Sequence, residues 1–384
     1  MRIQSYLHNA QAILAIYKGD VPLASWLKAY FKEHKKFGSK DRKHLAHLLY
    51  CYYRLGAAFQ HLPVAERLGL ALFLCSEGGN SLLEAYKPEW NELAGHSPKE
   101  KLDVLQAAEE ATRIFPFNSY LSREVDLRSF NLSFLQQPLV YLRLRPGKGQ
   151  KVKETFLKAA IAFSEIAENC IAVSSQTKAD TLIDLNNDAV IQDRNSQRVL
   201  EVLESDKLKG NLKVWDCCAA SGGKSLLVWD TFGKVQLMAT DVRQSILHNL
   251  RSRFAQAGIT SYRSQVADIA KATPFGEKFD LVVCDAPCSG SGTWGRTPEQ
   301  LHFFTENKIE HYASLQKSIA VNAVQNVKSG GQFLYITCSV FTKENEDVVA
   351  FIQENTNLQL QQAAYLKGYT QKSDTLFAAS FAAL

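Results

Sequence analysis

The first third of the chain carries its apolar residues at the three- and four-residue spacings of amphipathic helices. One such series, near the start, consists of Leu7, Ala10, Ile13 and Leu14. A second series follows the sequence SKDR at residues 39–42, whose polar and acidic character is typical of a helix start; it consists of Leu45, Leu48, Leu49 and Tyr52. Alternating β-branched residues are scarce before about residue 125. The pattern therefore predicts an all-helical domain over residues 1–125.

The pattern changes near residue 115, where a turn-rich stretch leads into an alternating run at residues 138–145. This run ends at Pro146 and Gly147 and is typical of a strand. It predicts a small α+β linker subdomain over residues 126–204. Arg143 and Arg145 fall on one face of the strand, and Lys148, Lys151 and Lys153 follow it. Together they would add a second basic surface, although an ordinary strand edge explains them equally well.

From about residue 205, short apolar strands alternate with helical stretches. The strands are predicted at residues 212–217, 235–240, 279–284 and 332–337. Strands that alternate with helices form parallel sheets covered on both faces. We therefore expect an α/β domain with a doubly wound, mainly parallel sheet over residues 205–384.

The composition narrows the class of protein. A chain of 384 residues with 46% hydrophobic and 22% charged residues has the makings of two or three folded domains. Its longest apolar run, residues 68–75, is too short to span a membrane, so we expect a cytoplasmic protein without a membrane partner and, by default, a monomer. Eight cysteines are too few for a secreted disulfide scaffold and should be free thiols. None falls in a CxxC pair, so we predict no metal.

Positive charge is concentrated near the N-terminus. Residues 1–60 hold ten Lys or Arg against three Asp or Glu, or +7, which leaves about −2 for the rest of a chain with a net charge of +5. The cations of the densest part are Lys28, Lys32, Lys35, Lys36, Lys40, Arg42, Lys43 and Arg54, and the aromatic residues between them are Trp26, Tyr30, Phe31, Phe37 and Tyr50. Such a patch can neutralise phosphates, which makes nucleic acid a candidate partner; a solvated helix face is the alternative.

A glycine-containing loop follows the first strand of the α/β domain. The sequence CCAASGGK at residues 217–224 lets the backbone approach a ligand at the start of the next helix. Its order is neither G-x-G-x-x-G nor that of a P-loop, so a small nucleoside-like cofactor fits better than a dinucleotide. Asp241, Asp268 and Asp285 follow three successive strands and should line the carboxyl edge of the sheet, where Asp241 can accept hydrogen bonds from a ribose. Any one of them alone could be a helix cap or a turn residue.

Two cysteines are expected at the same edge. Cys288 lies in DAPCSG after the fourth strand, and Cys338 lies in TCS after the next core strand. A thiol is only about 3% ionised at pH 7, so a nucleophilic cysteine needs a nearby positive charge, for which Lys224 and Arg296 are candidates. The remaining cysteines are interpreted as small core residues, most clearly Cys51, Cys75, Cys170, Cys217 and Cys284.

Three segments together resemble the RsmB/NOP/Sun family of RNA cytosine-5 methyltransferases: CCAASGGK, DAPCSGSGTWGRTPE and ITCSVFTKENEDVV. VIQDRNSQ at residues 190–197 and DTLFAASF near the C-terminus extend the resemblance over most of the chain. Residues 37–56 are similar to part of the NusB-like RNA-binding helical domain. The resemblance implies a Rossmann-like class I methyltransferase domain preceded by an all-α NusB-like domain. It also implies S-adenosylmethionine as cofactor and RNA as substrate, with ribosomal RNA favoured over transfer RNA. Ser221 departs from the proline usual in the family.

The same resemblance implies a role for each site residue. Cys338 adds to carbon 6 of cytosine, Cys288 assists release of the product, and Asp285 holds both base and cofactor. The residues alone leave the order of the two thiols open, because in DNA cytosine-5 methyltransferases the cysteine of a Pro-Cys pair attacks. The cofactor-binding set is Cys218, Ala219, Ala220, Ser221, Gly222, Gly223, Lys224, Asp241, Asp268 and Asp285. Gly290 and Gly292 should allow the loop to close. A last group, Glu344, Asn345 and Glu346, is expected to cap a helix.

Two other classes of function compete with this interpretation. A nicotinamide-dependent oxidoreductase could use the same kind of sheet, but the missing G-x-G-x-x-G and the paired cysteines argue against it. A non-catalytic RNA-binding or ribosome assembly factor could retain the fold, but intact Cys288, Cys338 and Asp285 argue against that.

Overall fold

A computed structural model of the chain describes residues 2–233 and 235–383. The chain forms two compact units. The first comprises Met1–Pro138 and Thr293–Glu306, and the second comprises Leu139–Gly292 and Asn307–Leu384. The boundary expected after residue 125 falls inside the first unit, and the one expected after residue 204 falls inside the second.

The first unit is helical, as its apolar spacing predicts. Its helices are α1 (Ile3–Ile16), α2 (Leu23–Glu33), α3 (Ser39–Arg54), α4 (Val64–Cys75), α5 (Ser81–Tyr86), α6 (Pro88–Glu92), α7 (Pro98–Val104) and α8 (Leu127–Ser133). Helix α3 begins at Ser39, as expected, and its Leu45, Leu48 and Leu49 are completely buried. No helix among the described residues is long and apolar enough to cross a membrane.

The segment Thr293–Glu306 returns to this helical unit from far along the chain. It contains a short helix, Gln300–Phe303, and its Trp294 and Phe304 are buried. The buried Glu299 accepts a hydrogen bond from the backbone N–H of Leu23 at the start of α2, over 2.9 Å. These interactions make the segment an integral part of the first unit.

The basic patch expected near the N-terminus is only partly a surface. Its six lysines are exposed, namely Lys28, Lys32, Lys35, Lys36, Lys40 and Lys43. Arg54, in contrast, is buried and donates hydrogen bonds to the carbonyl oxygens of Phe134 and Gln136. The aromatic rings of Phe31 and Phe37 lie in the core. The prediction was wrong for these three residues, because the spacing of charges along a helix does not reveal which side chains the rest of the chain will cover.

The second unit begins with a small antiparallel sheet. Its elements are β1 (Val140–Leu144), α9 (Gly149–Lys158), β2 (Phe163–Ala167), β3 (Cys170–Val173), β4 (Ala189–Ile191) and α10 (Arg194–Arg198). The strand order is β2-β3-β1-β4, with Leu142 of β1 opposite Ile171 of β3 on one side and Ile191 of β4 on the other. Helix α9 packs its Val152 and Phe156 into the same core as Leu142.

Arg143 and Arg145 do not contribute to the second basic surface that was predicted to include them. Both guanidinium groups bind the buried carboxylate of Asp230, with N–O distances of 2.6 and 2.7 Å. Their side chains are only 7% and 11% exposed. The two arginines therefore form an internal ion-pair cluster, and the sequence could not show it because Asp230 lies more than 80 residues away.

The rest of the second unit is the expected α/β domain. Its elements are β5 (Lys213–Asp216), α11 (Gly223–Phe232), β6 (Gln236–Asp241), α12 (Gln244–Gln256), β7 (Tyr262–Val266), β8 (Phe279–Asp285), α13 (Asn307–Val324), β9 (Val327–Thr337), α14 (Glu346–Asn355), β10 (Leu358–Leu366) and β11 (Leu376–Ala383). The strand order is β10-β11-β9-β8-β5-β6-β7. Strands β5 to β9 are parallel, and the hairpin β10–β11 adds the antiparallel edge.

Alternate residues of the central strands enter two separate cores. Val214 of β5 packs in one core with Leu226 of α11 and Leu250 of α12, whereas its neighbour Trp215 packs in the other core with Ile319 of α13. Both faces of the sheet are thus covered, which is the doubly wound arrangement. The direction of winding reverses between β5 and β8, and open sheets of this kind bind ligands at that point, beyond the carboxyl ends of the strands.

Candidate active site

The loop after β5 turns sharply into α11. The backbone N–H of Ala219 donates to the carbonyl oxygen of Thr240 over 2.8 Å, and Ala220 and Gly222 both have left-handed backbone angles, with φ of 46° and 82°. A Cβ atom on Gly222 would lie 2.8 Å from the ring of Phe254, so only glycine fits there. A non-glycine residue at positive φ, such as Ala220, carries strain of the kind that functional loops retain. Gly223 then opens α11 at the reversal point of the sheet.

Asp241 ends β6 and is held against this loop. Its carboxylate accepts a hydrogen bond from the backbone N–H of Ala220 over 3.1 Å and pairs with Arg243. The carbonyl oxygen of Asp241 accepts from Ala267, which brings Asp268 after β7 to the same edge of the sheet. Asp268 is half-exposed and pairs with Lys271. The structure thus places Asp241 and Asp268 at the carboxyl edge of the sheet, as the strand pattern predicts.

Lys224 lies at the centre of the site. Its ammonium group donates to the carboxylate of Asp285 over 3.0 Å and to the hydroxyl of Ser196 over 2.8 Å. Burial alone would lower the pKa of Lys224, but the charge and hydrogen bond of Asp285, followed by the charge of Cys338, raise it. Lys224 therefore stays protonated and places a positive charge in the site; Ser196 was not foreseen as a partner.

The two cysteines meet. The Sγ atoms of Cys288, after β8, and Cys338, after β9, are 3.3 Å apart, and both residues are partly accessible. The hydrogen bond to Cys338, together with burial and the charges of Cys338 and Glu344, raises the pKa of the Cys288 thiol well above its usual range. Either thiol can be the donor in this contact.

The helix cap expected at residues 344–346 is confirmed in position, at Asn345, but not in its side-chain interactions. Helix α14 begins at Glu346, and Asn345 before it makes no capping hydrogen bond with its side chain. Asn345 instead binds Thr337, Ser339 and Tyr365. Glu344 is buried and binds the turns that carry the two cysteines. Capping is a local interaction, and these side chains are taken by partners from other strands and loops.

Gly292 is required for close packing. A Cβ atom on Gly292 would lie 2.0 Å from the carbonyl oxygen of Thr375, and its N–H donates to the carbonyl oxygen of Cys338 over 2.9 Å. The backbone of the Cys288 loop is thereby fixed to the turn of Cys338 and to the start of β11. The freedom to close that was expected of Gly292 is not what the structure shows, because the residue forms a tight junction.

A second thiol cluster lies behind the site. The Sγ atoms of Cys217, Cys218 and Cys284 all lie within 4.8 Å of one another. Cys217 and Cys284 are buried in the apolar core that also contains Trp215, as their assignment to the core predicts. All eight cysteines are free thiols. Spacing along the chain did not reveal this cluster, because its members come from two different strands.

The fold and the site define a class of protein: a Rossmann-like α/β domain with a cofactor loop at the reversal point of the sheet and a thiol pair beside it. Residues 201–378 match the family model described as 16S rRNA methyltransferase RsmB/F. The match covers less than half of the chain and supports the resemblance to the RsmB/NOP/Sun methyltransferase family found in its motifs.

Curated relatives agree with this assignment. A probable ribosomal RNA small subunit methyltransferase B of Bacillus subtilis (strain 168) is 31% identical over 199 residues, which cover 51% of this chain and 44% of that protein. A ribosomal RNA small subunit methyltransferase B of Xanthomonas campestris pv. campestris is 33% identical over 178 residues, which cover 45% of this chain and 40% of the relative. The matched region thus spans less than half the length of these relatives.

A solved structure covers nearly the whole chain. The crystal structure of PH0851 aligns with 99% of this chain and 98% of its own, with a TM-score of 0.68 and 20% sequence identity. At this identity the match supports the fold alone. The NusB-like identity of residues 1–125 stays a prediction.

Proposed function

We propose that this protein transfers a methyl group from S-adenosylmethionine to carbon 5 of a cytosine in RNA, and that the RNA is ribosomal. The observation that carries the proposal is the contact between Cys288 and Cys338, 3.3 Å apart at the cofactor edge of the sheet. The family match supports methyl transfer, and the names of the relatives support ribosomal RNA as the substrate class.

The donor set at the edge of the sheet fits the cofactor. Asp241 presents a carboxylate that can accept from ribose hydroxyls, and the strained turn at Ala220 and Gly222 brings backbone close to the ligand. We assign the loop from Cys218 to Lys224, with Asp268 and Asp285, to the rest of the cofactor. When bound, S-adenosylmethionine supplies an electrophilic methyl group.

Two thiols suit the chemistry of carbon 5, which is a poor nucleophile in cytosine. We assign the attack to Cys338: its thiolate forms a bond to carbon 6, and the displaced electron pair makes carbon 5 able to take the methyl group. We assign to Lys224, which stays protonated, the positive charge near the attacking sulfur. We assign to Asp285 a hydrogen bond with ring nitrogen 3 that favours protonation of this nitrogen as the adduct forms.

Cys288 is assigned to the second half of the reaction. After methylation, the proton on carbon 5 leaves and the bond between sulfur and carbon 6 breaks, which requires a group that can exchange protons nearby. The raised pKa of the Cys288 thiol fits this role, because such a thiol holds a proton that it can exchange in this step. This reasoning favours the order that the family resemblance implies.

The first test separates the two thiols. Cys338→Ser should lower methyl transfer by about a thousandfold or more, because the nucleophile is lost, while S-adenosylmethionine affinity stays the same. Transfer of a labelled methyl group to ribosomal RNA and a cofactor titration measure the two effects. A variant with normal turnover would reject Cys338 as the nucleophile.

Cys288→Ser should instead accumulate a covalent protein–RNA adduct. The adduct would appear as a band that survives denaturation on a gel and disappears when Cys338 is also replaced. If the band depends on Cys288 and not on Cys338, the two roles are reversed.

A further inference from the structure

The carboxylate of Glu344 lies directly behind the thiol pair. The residue is completely buried, and burial raises its pKa. Its carboxylate accepts hydrogen bonds from three uncharged donors, which come from Ser289, Ser339 and Gln316. A buried carboxylate is costly unless its oxygens are well bonded, so these contacts explain how Glu344 can be kept in the interior.

The two oxygens of this carboxylate bind the two cysteine turns. Oε2 accepts from the backbone N–H of Ser289, the residue after Cys288, over 2.8 Å. Oε1 accepts from the hydroxyl of Ser339, the residue after Cys338, over 2.8 Å. The hydroxyls of Ser289 and Ser339 also contact each other over 3.2 Å. One side chain thus joins the residues next to both thiols.

Gln316 of α13 fixes the carboxylate from the other side. Its Nε2 donates to Oε2 of Glu344 and to the carbonyl oxygen of Pro287, each over 2.9 Å. Pro287 and Ser289 flank Cys288, so both peptide groups around that thiol are fixed to one network. Tyr335 of β9 completes it by donating to the backbone carbonyl of Glu344 over 2.7 Å.

We propose that Glu344 is a positioning residue that holds the thiols of Cys288 and Cys338 in contact. It reaches the reacting atoms only through Ser289 and Ser339, and its role in turnover rests on the function proposed above. Shortening its side chain by one methylene would break its bond to one turn or the other. Because misplacement by about 1 Å can cost 10²-fold in rate, the loss should appear in kcat and not in KM.

The proximity of the thiols can be measured without any methyl transfer. The azo oxidant diamide accepts the two hydrogens of a thiol pair, so Cys288 and Cys338 form a disulfide while diamide becomes the hydrazine. Thiols already in contact should cross-link rapidly, and separated thiols should not, because disulfide geometry is narrow. The yield is read by mass spectrometry of the peptides linked through Cys288 and Cys338.

Two substitutions separate length from charge. Glu344→Asp keeps the charge but cannot reach both turns, and it should slow cross-linking by about tenfold. Glu344→Gln keeps the length, and Ser339 can turn its hydroxyl to accept from the new amide, so cross-linking should stay within about threefold of the wild type. Glu346→Gln is the matched control, because Glu346 contacts Tyr365 instead of the cysteine turns. A thermal melt of each variant confirms that it is folded.

The outcomes distinguish this proposal from the proposed function. Cross-linking of Glu344→Asp at the wild-type rate, in a folded protein, would overturn the positioning role. If Glu344→Asp fails to fold, a Gln316→Leu variant decides, because Gln316 links Glu344 to the Cys288 turn: cross-linking at the wild-type rate in this variant would overturn the role. Should wild-type protein cross-link as expected but transfer no methyl group, the proposed function fails while the positioning of the thiols stands. If Glu344→Asp cross-links slowly and has a lower kcat with an unchanged KM, the result supports both the positioning role and the proposed function.

Discussion

The imidazole of His302 lies in apolar surroundings within the first unit. It stacks on Tyr52 and meets the edge of Tyr53, with ring centroids 5.9 and 5.1 Å away, and its buried Nε2 atom has no partner among the described residues. Burial, followed by the charge of Arg67, lowers the pKa of His302 to about 4.

This pKa predicts a loss of stability in mild acid. Between pH 6.5 and about 4 the unfolded chain holds a proton on His302 and the folded chain does not, so the free energy of unfolding falls as the pH falls. His302→Phe keeps the ring packing and removes the titration. The free energy of unfolding of both proteins can be measured with urea from pH 7 to pH 4. The stability of His302→Phe relative to the wild type should increase as the pH falls. An equal pH dependence of the two proteins would contradict the prediction.

Asp216 at the end of β5 gives the free energy of unfolding the opposite pH dependence. Its buried carboxylate accepts from the hydroxyl of Ser225, and burial raises its pKa to about 7. Between about pH 4 and pH 7 the folded chain holds a proton that the unfolded chain has lost, so this residue makes stability fall as the pH rises. Asp216→Asn stays neutral throughout. Its stability relative to wild type should rise from pH 4 to pH 7 and then level off, which the same unfolding series can measure.

Among the elements, the junction at Gly292 joins the Cys288 loop to the start of β11. Gly292→Ala places a Cβ atom 2.0 Å from the carbonyl oxygen of Thr375, and the backbone must move to relieve the overlap. We expect a loss of about 1–3 kcal/mol in the free energy of unfolding and slower cross-linking of the two thiols. Gly276→Ala is the control, because a Cβ atom there has no atom within 4 Å. Equal stability of the two variants would refute the account of this junction.

At this scale the sequence predicted the parallel strands well. Each strand buried on both faces is a short apolar run, and the run leading to Asp285 begins at Phe279 both in the prediction and in the structure. Because parallel strands end at one edge, the pattern also brought Asp241, Asp285 and the two cysteines together. Runs of apolar residues carry this information locally, without reference to the rest of the chain.

The partners of charged side chains were not predictable in the same way. Arg143 and Arg54 looked like surface cations, yet their acceptors lie about 80 residues along the chain. Glu344 looked like a helix cap, yet it binds Ser289, which is 55 residues away. A charge in a sequence indicates what a side chain can bind, and only the tertiary structure decides which partner it takes.

Across the whole molecule, the exposed lysines of the first unit remain the best candidates for RNA binding. Lys35→Gln with Lys36→Gln should weaken RNA binding and reduce the slope of log affinity against log salt by roughly 0.7–0.9 for each phosphate that is no longer neutralised. Lys207→Gln with Lys209→Gln removes the same charge from exposed positions in the second unit and serves as the control. Filter binding at several salt concentrations measures both. If the salt dependence of RNA binding is the same in the two double variants, Lys35 and Lys36 belong to a solvated helix face that does not bind RNA.

Because Thr293–Glu306 belongs to the first unit, the chain passes from one unit to the other three times, after Pro138, Gly292 and Glu306. A fragment that begins at residue 139 would contain Trp294, Leu301 and Phe304 but lack the helices that bury them. We expect such a fragment to aggregate, because these apolar side chains would be exposed even if the α/β domain folds correctly. To express the second unit alone, residues 293–306 must also be removed and replaced by a short polar linker between Gly292 and Asn307.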